Sequence, residues 1–284
     1  MSTPTSTPTS STPTSTPTRS RTALLVRGMP DAGARRRMWA LARAELTLLV
    51  RNRTAVFVSL LMPVVMMGLA YSSSGEMELG GTGLTRGEAV VTGGMGIVLV
   101  LVIYTGLIPM YVARREERTL KRLRTGELTD AEILTGAAVP AVVLALVQCA
   151  VLVGSGVLAF DIGAPRSVPV LLLGMALGCA MLVAFAAATA GFTKTVESAQ
   201  ITAMPLLTIS LTGSGLFVPI EVLPDALANV FRLLPLTSVV ELMKDGWLGG
   251  LGGAERLRAL GLAVVWTALA VFAVRRWFRW EPRH

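Results

Sequence analysis

Few side chains in this 284-residue chain could make or break bonds. Its one histidine is His284, so no imidazole is placed to serve as an internal general base or metal ligand. Cys149 and Cys179 lie inside separate apolar stretches. That spacing excludes a disulfide scaffold and a clustered zinc site. Ser155 and Ser214 each stand between two glycines, but neither has a histidine to activate it. Those triplets read as close-packing or kink sites. There is no GxxxxGK[ST] phosphate loop, and Gly246, Gly249, Gly250, Gly252 and Gly253 have no Lys-Ser/Thr beside them, so they take no nucleotide role. What remains is a dense run of charge, Arg114, Arg115, Glu116, Glu117, Arg118, Lys121, Arg122 and Arg124. Such a mixture of charge is what a solvated connecting segment carries.

The surrounding chain is made for lipid. Apolar residues are 52% of it and charged residues 15%, against about a quarter charged in a soluble domain. Mean hydropathy is +0.63. Six uncharged stretches run over 54–71, 89–112, 133–160, 168–193, 198–220 and 259–274. A hydrocarbon core of about 30 Å takes about 20 helical residues. The last stretch is short, but Leu257 and the snorkelling Arg258, Arg275 and Arg276 extend it. Backbone groups in lipid must bond within their own segment, and nothing here alternates with period two, so helices are expected and a barrel is not. The expected fold is an all-α integral membrane protein with six transmembrane helices.

Charge sets the orientation. Nine arginines precede the first stretch, against Asp31 and Glu45. Six basic residues fill 113–132, and Arg275, Arg276, Arg279 and Arg283 follow the last stretch. The segment 72–88 carries Glu76, Glu78 and Glu88 against Arg86, and 221–257 carries Glu221, Asp225, Glu241, Asp245 and Glu255. Basic segments mark the cytoplasmic side, so six crossings with both termini inside satisfy every bias. The net charge of +8 is then a topology signal, and no nucleic-acid partner is expected.

Residues 2–18 repeat Ser, Thr and Pro and cannot bury a core, so 1–34 is expected to be a disordered, then basic, tail and 35–284 the transmembrane domain. No apolar h-region follows a short basic start, so the first span is expected to be retained. Between Arg35 and Arg51 the apolar residues Met38, Trp39, Leu41, Leu46, Leu49 and Val50 interleave with arginines. This fits an N-terminal helix lying in the interface. A cytosolic extension of the first span is the alternative.

No Asp, Glu, Lys, Arg or His lies inside the six stretches. A charge at mid-bilayer costs roughly 2.5–3.5 kcal/mol on insertion scales, so proton- and ion-coupled carriers keep only those that work. Their absence argues against an ion-coupled carrier and an intramembrane metalloprotease. If the protein moves a solute, the energy comes from elsewhere.

In 113–132, good helix formers carry an i,i+4 pair, Glu117 and Lys121, with Leu120 and Leu123 on an apolar side. Gly126 is placed to end that helix, and Thr129 with Glu132 forms a capping box for the next. On spacing alone a solvated connecting loop would look the same. The run Glu117-Arg118-x-Leu120, then Leu128-Thr129-x-x-Glu132-Ile133-Leu134, resembles the cytoplasmic segment of the ABC-2 family of ABC transporter permeases, which commonly reads E-R-x-x-G-T-L-E-x-L before an E-I-L helix start. This chain lacks the glycine before Thr119-Leu120, carries Lys121 where an acid is frequent, and reads Glu127-Leu128-Thr129 in the turn. A second likeness follows the fifth stretch: Val218-Pro219-Ile220, Leu223-Pro224 and Leu234-Pro235-Leu236-Thr237 resemble the family's "P-x-x-x-L-P … L-P-L-T" outer segment. There Ser238 and Glu241 read as a capping box for a short helix, and short re-entrant helices are expected between spans five and six.

The resemblance implies a permease subunit without catalytic residues of its own. ATP and magnesium would be bound by a separate ATP-binding subunit. Glu116, Glu117, Arg118, Leu120, Lys121, Leu123 and Arg124, together with the interfacial helix at Arg35–Arg51, would fit a groove in that partner. A second copy or a homologous permease would complete the pathway, and a GxxxG spacing at Gly174–Gly178 would support close helix packing. The drug- and antibiotic-resistance branch is the nearest likeness. Export of a lipid or polysaccharide, or a nontransporting assembly or sensor subunit, are the competing readings. Met95, Met110, Phe185, Met204 and Phe217 would suit a lipophilic compound, or would simply pack or face lipid; substrate-binding residues are not assigned. A bacterial inner (plasma) membrane is the expected location, and the excess of Arg over Lys hints at a GC-rich genome.

Overall fold

A computed structural model of the chain describes residues 43, 46, 47, 50–73, 85–116, 130–160, 162–213 and 225–277. All regular structure among them is helical: α1 (Arg53–Ser73), α2 (Arg86–Glu116), α3 (Asp130–Phe160), α4 (Val168–Phe192), α5 (Ala199–Gly213), α6 (Asp225–Phe231), α7 (Pro235–Leu248) and α8 (Gly253–Trp277). Four of these, α2, α3, α4 and α8, are long and apolar enough to cross a bilayer. α1 is 21 residues long with its apolar part at Val56–Ser72, and α5 has 15 described residues, fewer than a full span takes. Of the expected tail 1–34, no residue is described, and of the interfacial segment only Arg43, Leu46, Thr47, Val50 and Arg51 are, all helical.

The helices begin and bend where local chemistry dictates. Thr85 caps α2: its hydroxyl accepts from Glu88 N at 3.3 Å, and the Glu88 carboxylate accepts from Thr85 N at 2.9 Å. At mid-length α2 widens into a π-helical segment, Leu99–Thr105. Pro109 follows one turn later and has no N–H to give the Thr105 carbonyl, so the ladder is interrupted just below the widened turn. α7 begins at Pro235, whose fixed φ suits the first turn. This corrects the capping box expected at Ser238 and Glu241. Ser238 lies one turn inside the helix and donates to Pro235 O at 2.8 Å, while Glu241 accepts from Arg258. The capping box expected at Thr129 lies outside the described residues.

Pairwise contacts fix the directions. α2 and α3 form an antiparallel hairpin. A Cβ on Gly87 would meet Ile162 and Phe160, and one on Gly156 would meet Val91, so the start of α2 lies by the end of α3. At the other end the Tyr111 hydroxyl donates to Leu134 O at 2.8 Å. α1 runs parallel to α3, with Ser59 beside Gln148 and the Tyr71 ring stacked on Phe160 at 3.9 Å. α7 runs antiparallel to the first half of α4. Its Gly246 meets Leu171, Leu242 and Met243 meet Gly174, and Val239 meets Gly178. α8 passes α4 with Trp266 and Phe185 ring centroids 6.2 Å apart, and its Trp266 indole donates to Leu233 O at 2.9 Å. α2, α4 and α7 hold the buried centre, while α1 and α8 turn many apolar side chains outward.

One polar contact inside this greasy bundle has a clear cause. Pro63 in α1 leaves the Ser59 carbonyl without its helical amide. Gln148, buried on α3, donates its Nε2 to that carbonyl at 2.8 Å. Its Oε1 has no hydrogen-bond partner among the described residues. Gln148→Leu is therefore expected to cost about 0.6–1.7 kcal/mol, with the idle acceptor pulling the value to the low end. Pro63→Ala restores an amide to Ser59 and should remove most of that cost. A double-mutant cycle on unfolding in one fixed detergent checks this; equal penalties in both backgrounds would refute it.

Candidate functional site

The charged segment singled out in the sequence leaves the bundle at the end of α2. Of its residues, Glu116 is described and is exposed on the last turn. Glu117, Arg118, Leu120, Lys121, Leu123 and Arg124 lie outside the described residues. What the structure adds is the anchor directly before them.

Arg115 is 1% exposed. The uncharged stretch ends at Val112, but the helix continues to Glu116, so Arg115 is carried inward on the same helix. Its guanidinium donates to Ala190 O at 2.9 Å and Lys194 O at 3.3 Å, and also to Thr193 O. These carbonyls close the C-terminal end of α4, where no following helical amide can serve them. A cation there also meets the negative end of the α4 dipole. A rigid fork serving several acceptors at once is what arginine does and lysine cannot. Farther up the same two helices, the hydroxyls of Tyr104 and Thr189 lie 3.1 Å apart.

The turn that receives Arg115 is itself braced. Thr195 N donates to the Ser198 hydroxyl at 3.1 Å, and Ser198 N to the Thr195 hydroxyl at 3.3 Å, leading into α5. Glu197, fully solvated here, is held below the usual carboxylate range by its own backbone N–H and by the Thr195 hydroxyl. At the same end of the bundle lie the basic ends of other helices. α2 ends in Arg114 and Arg115, α8 in Arg275 and Arg276, and α1 begins at Arg53.

From this end, α4 leads to a second built interface. Gly174 and Gly178 face α7 within this same chain: a Cβ on Gly178 would lie 2.7 Å from Val239 Cγ1, and one on Gly174 3.1 Å from Leu242 Cβ. The close packing expected of the GxxxG spacing is thus found between α4 and α7. Beyond it, Ser167 N donates to Gly246 O at 2.8 Å and Arg166 N to Trp247 O at 3.0 Å. Acidic residues that served as topology markers are here paired. Asp245, buried, accepts from Arg256 Nε at 2.6 Å and from Leu251 N at 3.0 Å, and Glu241 accepts from Arg258 at 3.2 Å. They fasten α7 to α8.

The described residues considered for a lipophilic substrate do not converge. Met95 is fully buried in the core, Phe185 packs on Trp266, Met204 points outward and Phe217 lies outside the described residues. The burial of Arg115 and the contact of Gln148 were not read from the sequence. The signal for Arg115 was its place one turn past the apolar stretch on an unbroken helical pattern. For Gln148 it was an amide facing a span that contains a proline.

The comparisons with known proteins point one way. A family model described as "ABC-2 family transporter protein" matches residues 82–274, more than half of the chain. "Probable multidrug ABC transporter permease YbhR" of Escherichia coli (strain K12) is 27% identical over 159 residues, covering 56% of this chain and 41% of that protein. The protein of the same name in Escherichia coli O157:H7 matches to the same extent. The shared segment thus spans less than half the length of these relatives.

Proposed function

Because the chain belongs to the ABC-2 transporter family, we propose that it is the membrane-spanning permease subunit of an ATP-driven exporter for lipophilic, drug-like compounds. ATP and magnesium sit on a separate ATP-binding subunit that docks at the basic, cytoplasmic end. In this reading the stretches 54–71 and 198–220 supply the other two of six spans. The pathway lies between two such permeases. The multidrug description of the Escherichia coli relatives favours this substrate class.

The observation that carries the reading is the anchorage of Arg115 immediately before the charged segment. In the proposed mechanism, residues 116–124 are a lever gripped by the ATPase. Arg115 passes its displacement to the end of α4. α4 is stiff, and its small-residue face transmits the tilt to α7 at the opposite end of the bundle. The depth of α7, from the level of Gly178 to that of Leu171, supports reading it as the returning arm of a re-entrant pair. A rigid element with two arrangements is the physical requirement for such transmission.

The lever is tested by Glu117→Ala/Arg118→Ala. Co-purification of the ATP-binding subunit, or ATP-dependent transport where the subunit still binds, is expected to fall at least about tenfold, the loss of one or two charge-assisted contacts. Full assembly together with full transport would remove the coupling role from this segment.

A further inference from the structure

Where α1 begins, three guanidiniums surround one open groove of about 510 Å³, lined by Arg43, Leu46, Thr47, Val50, Arg51 and Arg53. Arg43, Leu46, Thr47, Val50 and Arg51 share one helical face, at spacings of three, four, seven and eight. Asn52 interrupts the helix, and Arg53 opens α1, so the groove lies in the angle between the two. All three arginines are exposed, and among the described residues no carboxylate lines the groove. Like charges gathered this way repel unless an anion sits among them. Guanidinium forks match phosphate oxygens in pairs. Beside the cations stand Leu46 and Val50, and directly after Arg53 the chain turns apolar and enters the proposed hydrocarbon layer.

We propose that this groove binds the headgroup of an anionic phospholipid, its phosphate held by Arg43, Arg51 and Arg53 and its upper acyl chain lying on Leu46 and Val50. A free phosphate ion would satisfy the arginines but leave the apolar wall unused, which favours the lipid as the source. The inference rests on the membrane reading of α1 and not on coupling to an ATPase. The site would hold the entry of α1 at headgroup depth, with each arginine near the surface adding severalfold to anionic lipid affinity.

The test is native mass spectrometry of the purified full chain, supplied with equal phosphatidylglycerol and phosphatidylcholine. Wild type is expected to retain phosphatidylglycerol preferentially, and the preference should fall about fivefold for each arginine changed to glutamine. Arg43→Gln/Arg51→Gln/Arg53→Gln alters exposed side chains and should leave the unfolding midpoint unchanged; the corresponding lysine variant should keep part of the preference. Undiminished retention by the glutamine variant would overturn the site. Displacement of the lipid by equimolar inorganic phosphate would assign the groove to a free anion instead and overturn the lipid assignment. None of these arms uses ATP or transport, so their failure leaves the permease reading standing and testable by itself.

Discussion

Replacing Arg115 with methionine is expected to destabilise the folded chain by about 2–4 kcal/mol, the loss of charge-assisted hydrogen bonds from buried carbonyls, and to abolish ATP-driven transport even where the ATP-binding subunit still assembles. Methionine keeps much of the aliphatic stem, so the change removes donors more than volume. Ala190 and its neighbours at the end of α4 are then left with carbonyls that have no helical amide to accept from. Arg115→Lys keeps the charge and its attraction to the helix dipole but brings one compact ammonium to acceptors that a fork now spans. It should recover part of the stability and less of the transport. The measurement is the thermal unfolding midpoint in one fixed detergent, alongside transport per assembled complex. A methionine variant with the wild-type midpoint would show that the anchor carries no weight.

Gly246→Ala should be the most damaging single methyl group where α7 packs on α4. An alanine Cβ there would collide with Leu171 N and come 2.6 Å from Leu171 Cα. These are backbone atoms, so no side chain can swing aside, and α7 would have to move off α4. Overpacking of this kind costs about 1–3 kcal/mol. It would also strain the neighbouring bonds from Ser167 N and Arg166 N to the end of α7. Gly261→Ala is the matched control. It lies in α8 with nothing within 4 Å of the added methyl, and should stabilise by about 0.5–1 kcal/mol because alanine loses less entropy in a helix. Opposite signs for the two variants are the expected outcome. Equal small effects would mean that α4 and α7 are not held in this close register.

The sequence made the long spans legible because lipid imposes a coarse requirement, some twenty apolar residues, that composition alone can meet. α2, α3, α4 and α8 follow from it. Their ends were harder to place. The reading ended the apolar stretch at Val112 and expected a charged helix after it, but not that one unbroken helix would carry Arg114, Arg115 and Glu116 onward. A count of basic residues treats every arginine as solvated, so it cannot separate Arg114 from the buried Arg115. Only the spatial return of α4, whose Ala190 lies 75 residues along the chain, reveals the difference. Gln148 escaped notice for a related reason. A search for charges inside the membrane passes over an amide, and its partner Ser59 is 89 residues away. The start of α7 was placed one turn late because Ser238 with Glu241 matches a capping pattern, whereas Pro235 supplies the stronger local constraint. The GxxxG spacing announced close packing but not with which helix, and α7 answers that. Of the lever, Glu116 alone falls within the described residues, so its expected role rests on the family and on the anchor beside it.

ATP dependence is the property that most directly separates this account from its competitors. The chain would be reconstituted in proteoliposomes with its ATP-binding subunit, and movement of a lipophilic dye followed. The account predicts flux that needs both subunits and hydrolysable ATP, that persists when an uncoupler collapses the proton gradient, and that disappears with Glu117→Ala/Arg118→Ala. Flux from the chain alone, abolished by the uncoupler while ATP is held constant, would contradict it.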